Sequence, residues 1–120
     1  AALGREYLLA RYRPGTRLVK IREGHFVAYA EHRGVKTVRV VLEAMDGVVR
    51  SLLITGDFFV QPPHVVEEVS RRVTGASLGE APRVAEEAAE ELFREATAAG
   101  VSPRDIGEAV RRAVELIVNA

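Results

Sequence analysis

The 120-residue sequence contains no cysteine, which excludes disulfides and thiolate chemistry and suits a reducing compartment. It carries no surplus of charge either. Its 17 basic residues balance 17 acidic ones, so net charge gives no reason to expect a nucleic-acid or membrane partner. Apolar runs are short, and none approaches the roughly 20 residues that a membrane-spanning helix needs. Ala1-Ala2-Leu3-Gly4-Arg5 lacks the layout of a signal peptide, so a cytoplasmic location is expected. Lysine is scarce (Lys20 and Lys36), as are amides (Gln61 and Asn119). Arginine and glutamate abound, a balance that fits a heat-adapted source, a thermophile.

What is present describes one domain with a single core. A hydrophobic content of 48% with 28% charged residues excludes wholesale disorder. Residues 1–40 are rich in arginine and 80–95 in glutamate, which makes a dipolar surface. No repeat, linker or low-complexity tract interrupts the chain.

The first half reads as strands. Tyr7 to Tyr12 suits a short helical turn, stopped by Pro14-Gly15. Arg17 to Ile21 is a strand, and Glu23-Gly24 turns it into a second from His25 to His32. There Phe26, Ala28 and Ala30 oppose Val27 and Tyr29 with period two. Lys36 to Ala44 is rich in β-branched residues, Asp46-Gly47 is a hairpin signal, and Val48 to Thr55 completes the hairpin.

The second half reads as helices. Val65, Val66, Val69 and Val73 recur at helical spacing before Gly75. Pro82 opens a second helix, whose stripe of Val84, Ala85, Ala88, Ala89, Leu92, Phe93 and Ala96 is expected to run until Gly100 stops it. Ser102-Pro103-Arg104-Asp105 starts a third: Ser102 as N-cap, Pro103 in the first position and Asp105 reaching back, with Val101 and Ile106 as a hydrophobic staple. The expected fold is α+β: a small antiparallel sheet of three to four strands, followed by about three helices packed on one face.

A catalytic set is not found. His25, His32 and His64 are scattered, and the first two, seven apart in one strand, lie on opposite faces; solvated histidines are expected. The glutamates of the second helix fall on its solvent side. Gly75-Ala76-Ser77-Leu78-Gly79 follows a helix and lacks the Lys-Ser/Thr of a phosphate loop, so it reads as a connector. Asp57 either orients a metal or substrate or accepts turn N–H groups ahead of the helix. Lys36 either projects toward an anion or guards a sheet edge, and Arg39, three residues on, faces the other side. Adjacent rings at a strand end point opposite ways, so one of Phe58 and Phe59 is expected in the core, and the other either faces a partner or finds a separate surface of the chain to cover it.

Lys36-Thr37-Val38-Arg39-Val40, Asp46-Gly47-Val48-Val49, and Ile54-Thr55-Gly56-Asp57-Phe58-Phe59 with Pro62 resemble the accessory (C-terminal) domain of lipoate–protein ligases, which in some archaea is a separate small subunit. The start of the last helix, Gly100 to Ile106, is similar to the family's closing segment, and the likeness covers about residues 34–118. In place of the family's Pro-Gly-Gly before the lysine stands Arg33-Gly34-Val35. The resemblance implies a single accessory domain over residues 1–120: an N-terminal extension with an extra strand or hairpin (1–33), a core hairpin (34–60) and helices (63–118). It implies a noncatalytic subunit that supports ATP-dependent adenylation of lipoate by a separate catalytic subunit. ATP, magnesium and lipoate then belong to the complex and not to this chain alone, and the lipoyl-acceptor domain is an indirect partner. Lys36 becomes the candidate substrate contact, and Gly56, Asp57, Phe58, Phe59 and Arg39 the candidate partner interface. The alternative is a standalone dimerising or small-molecule-binding regulatory module of the same fold.

Overall fold

A computed structural model describes Leu3, Gly4, Tyr7 and residues 15–120; beyond Tyr7 itself, the turn expected up to Tyr12 lies outside the described residues. Four strands, β1 (Arg17–Arg22), β2 (His25–Arg33), β3 (Thr37–Met45) and β4 (Val48–Gly56), form an antiparallel meander in chain order. Three helices follow: α1 (His64–Val73), α2 (Ala81–Leu92) and α3 (Pro103–Val118). The β3–β4 hairpin closes through Asp46 and Gly47, both at positive φ (51° and 80°), the backbone twist that a two-residue turn between right-twisted strands requires.

Strand alternation builds the core. Ala28 and Ala30 of β2, and Val38, Val40, Leu42 and Ala44 of β3, turn toward the helices and are all buried. On β4 a bulge opposite Glu43 and Ala44 shifts the register by one residue. That extra residue lets both Val49 and Leu52, three apart, face the same core. Ile106, Ala109, Val110, Ala113 and Ile117 of α3 lie against this surface, and Ala81, Ala85, Ala88 and Ala89 of α2 complete the layer. Small side chains allow close approach. At Gly107, a β-carbon would stand 3.1 Å from Glu86 Cβ and 3.3 Å from Pro82 O, so α2 and α3 meet there nearly backbone to backbone.

The second helix ends earlier than its stripe suggests. A 3₁₀ turn (Phe93–Glu95) follows Leu92, and Thr97–Ala99 becomes a strand, β6, paired antiparallel with β5 (Phe59–Gln61). Helix propensity in Ala96–Ala99 is a weak preference, and backbone pairing with β5 overrides it.

The histidines also differ from expectation. His64 is exposed, but His25 is 4% exposed and His32 is half-buried. They do lie on opposite faces. The face away from the helices carries its own apolar cluster of Val27, Tyr29 and Val41, against which Leu3, Tyr7, Val19 and Leu53 pack. Within that layer Glu43 is fully buried. It accepts from the Leu3 N–H through both oxygens at 2.9 Å and from Ser51 Oγ at 3.1 Å, and lies 2.7 Å from His25 Nε2. A carboxylate so enclosed is tolerable only because each oxygen is satisfied. Glu43→Ala leaves the buried His25 ring and the half-buried Leu3 N–H and Ser51 hydroxyl without this acceptor. It is expected to lower stability by about 2–4 kcal/mol in urea unfolding, since each orphaned buried group costs about 1–3 kcal/mol.

Candidate partner-docking corner

The residues singled out around Gly56 gather where the ends of β2 and β4, the β2–β3 turn and the start of α3 converge. Gly56 pairs with Val38, and the Asp57 N–H donates to Thr37 O at 3.2 Å. A β-carbon on Gly56 would collide with Thr37 O and would stand 2.7 Å from the Phe58 ring. Glycine is required here because the ring folds back over it. Phe58 thus packs against the core, whereas Phe59, the next residue and the first of β5, is 55% exposed. The division expected of adjacent rings is the one observed.

Lys36 sits in the bend before β3, exposed, with its stem laid across Gly100. A β-carbon on Gly100 would stand 2.6 Å from Lys36 Cγ and 3.7 Å from Phe58 Cα, and Gly100 also has φ +81°. Lys36, Gly100 and Phe58 therefore meet on the helix side of the sheet. Arg39 projects from the opposite side, between Glu31 (3.8 Å) and Asp57 (3.5 Å). Asp57 was expected to orient a ligand or accept turn N–H groups. Its carboxylate instead faces Arg39, because Thr55 pairs with Arg39 and residue 57 lies two further along the same side. The pair is largely solvated and contributes at most about 1 kcal/mol. Of the named residues, the structure brings Lys36, Gly56 and Phe58 together; Asp57 and Arg39 form a separate pair, and Phe59 stands outward.

The start of α3 locks this corner in place. Ser102 Oγ accepts from the Asp105 N–H at 3.2 Å, and Asp105 Oδ2 accepts from the Ser102 N–H at 3.0 Å, a reciprocal capping box. Asp105 Oδ1 lies 3.0 Å from His32 Nε2, and the carboxylate rests against Gly34, where a β-carbon would meet its Cγ at 2.8 Å. One side chain thus ties α3 to both β2 and the β2–β3 turn. Residue spacing reveals Asp105 as a cap but not as a tertiary tie, because His32 is 73 positions away. Burial pushes the Asp105 carboxyl upward, but the Ser102 N–H, His32 and the Ser102 hydroxyl outweigh it and hold the carboxyl below its ordinary value.

Among the described residues, no three of His, Cys, Asp and Glu stand close enough to hold a metal ion, and no helix is long and apolar enough to cross a membrane. An apolar groove of about 360 Å³ opens beside the corner, lined by Ile54, Phe58, Phe59, Val60, Pro63 and Val66. Thr55 and Gln61 add polar groups to this lining.

A solved structure shares this architecture. The fold is that of an archaeal ligase structure. It comes from work on a bi-partite lipoate protein ligase and its E2 lipoyl domain from Thermoplasma acidophilum. The match has a TM-score of 0.61 at 20% identity and covers 72% of this chain and 97% of the other, so this chain carries additional residues. The sequence matches no protein-family model and no curated protein. The ligase likeness is therefore one of fold.

Two outcomes are expected. Gly56→Ala must displace either the Phe58 ring or Thr37, and should cost about 1–3 kcal/mol in thermal or urea unfolding. Asp105, depressed when folded, contributes stability that is present above its ordinary value of 3.8 and is lost as pH falls through the lower folded value. Asp105→Asn should therefore lower stability at neutral pH and flatten the acid limb of a stability–pH curve measured from pH 7 downward.

Proposed function

We propose that this chain is a noncatalytic accessory subunit of a two-part lipoate–protein ligase, supporting ATP-dependent adenylation of lipoate by a separate catalytic subunit. The observation that carries this reading is the Phe59 ring, 55% exposed beside the Lys36–Gly100–Phe58 contact, on a fold shared with a bi-partite ligase structure. An exposed phenylalanine held on a short strand is an anchor of the kind that binding energy concentrates on. The neighbouring Lys36 side chain is exposed and makes no ion pair among the described residues, which leaves its ammonium available to an anionic group.

The chemistry accounts for such a helper. Adenylation produces a mixed anhydride that water destroys, and a second domain closing over the site excludes water while holding the reacting groups in line. ATP, magnesium and lipoate are bound by the catalytic subunit in this scheme. This chain supplies the closing surface: Phe59 as the anchor, Lys36 as a positive group at the mouth, Arg39 and Asp57 as a polar rim. The lipoyl-acceptor domain is met only through the complex, and the setting is cytoplasmic.

The test is to mix the chain with a catalytic subunit from the same organism that lacks its own accessory domain. Lipoate-dependent pyrophosphate release should rise, and the two should co-elute on sizing; failure of both overturns the proposal. Phe59→Ser, whose ring is exposed, should leave the melting temperature unchanged and weaken the complex about tenfold or more. A homodimer broken by the same substitution, with no response to the ligase, would favour the standalone regulatory module instead.

A further inference from the structure

The two edges of the sheet are not treated alike. β1 carries Arg17, Lys20 and Arg22, and charges on an edge strand discourage another strand from adding to it. β4 is the opposite edge. Its first half is closed from within: the Val49 N–H donates to Ala76 O at 2.9 Å, and Val49 O accepts from the Gly75 N–H at 2.8 Å. Its second half, Ser51-Leu52-Leu53-Ile54-Thr55-Gly56, has no strand on its outer side among the described residues, and contains no charge and no proline. An uncharged, apolar, hydrogen-bond-competent edge is the arrangement that stable proteins avoid leaving bare.

Beside that edge runs a groove between β4 and α1. One stretch of about 270 Å³ is lined by Leu52, Ile54, Pro63, Val66, Glu67 and Ser70. It shares Ile54, Pro63 and Val66 with the 360 Å³ stretch that ends at Phe58 and Phe59. A strand edge with no further strand beside it among the described residues, next to a groove of apolar side chains interrupted by Glu67 and Ser70, is what an extended peptide binds. Glu67 lines the groove and makes no ion pair within the described residues.

We infer that the open half of β4 takes an extended apolar segment of the catalytic subunit as an added strand, with a basic residue of that segment opposite Glu67. This rests on the accessory-subunit reading and specifies how the partner is held: main-chain hydrogen bonds give the strength, and the groove selects the side chains. Phe59 then lies at the end of one continuous interface.

Amide hydrogen exchange on the free chain and on its complex with the catalytic subunit tests it. The outward-facing amides within Ser51–Thr55 should slow by about tenfold or more on complex formation. Glu67→Lys, at an exposed position of α1, should weaken the complex by about tenfold. A complex that forms without protection of those amides overturns strand addition and leaves the accessory role standing. No complex overturns both. Protection of the same amides in the chain alone, in a homodimer, overturns the inference in favour of a second copy.

Discussion

The contact on which the rest depends is the seating of α3 on the inner rows of β2 and β3. Ala28, Ala30, Val38, Val40 and Leu42 present a shallow apolar surface, and Ile106, Ala109, Val110 and Ala113 fit it with little side-chain bulk. Close packing of small residues fixes the position of a helix tightly, since a shift of an ångström opens voids or creates clashes. Its consequences reach the corner in sequence. With α3 seated, Asp105 meets His32 and Gly34; Gly100 comes under Lys36; and the segment before it, Thr97–Ala99, is carried to β5, which holds Phe58 inward and Phe59 outward. The exposed ring is thus a product of core packing at a distance, and not of a flexible loop.

The sheet is buried on both faces over its centre, which is unusual for a small antiparallel meander with helices on one side. The second layer is where the enclosed Glu43 sits, held by His25, Ser51 and the Leu3 N–H. With both faces occupied over the centre, what remains open among the described residues is the second half of the β4 edge.

Much of the architecture was legible from residue order. The four strands, the Asp46-Gly47 hairpin, the period-two core rows and the start of α3 all follow from local rules that act within a few residues. The Gly56 to Phe59 series likewise announced one ring in and one ring out, because alternation along an extended chain is a local property. The misreadings share a cause. Residue order puts Ala96–Ala99 in a helix and His25 in solvent, and leaves Asp57 between orienting a metal or substrate and accepting turn N–H groups. In each case the deciding neighbour (β5, Glu43 or Arg39) lies far away in the chain or across a strand pair. Gly107 and the bulge opposite Glu43 gave no periodic signal, since both serve contacts between elements.

Residue order by itself determined which segments became strands and helices, which face of each was apolar, and where the last helix began, because those follow from backbone geometry and side-chain spacing. Tertiary structure alone decided that Lys36, Gly56, Phe58 and Gly100 meet, that Asp105 ties three elements together, and that half of the β4 edge has no strand beside it among the described residues. Those facts depend on distances between residues dozens of positions apart, and such distances exist only once the core has closed.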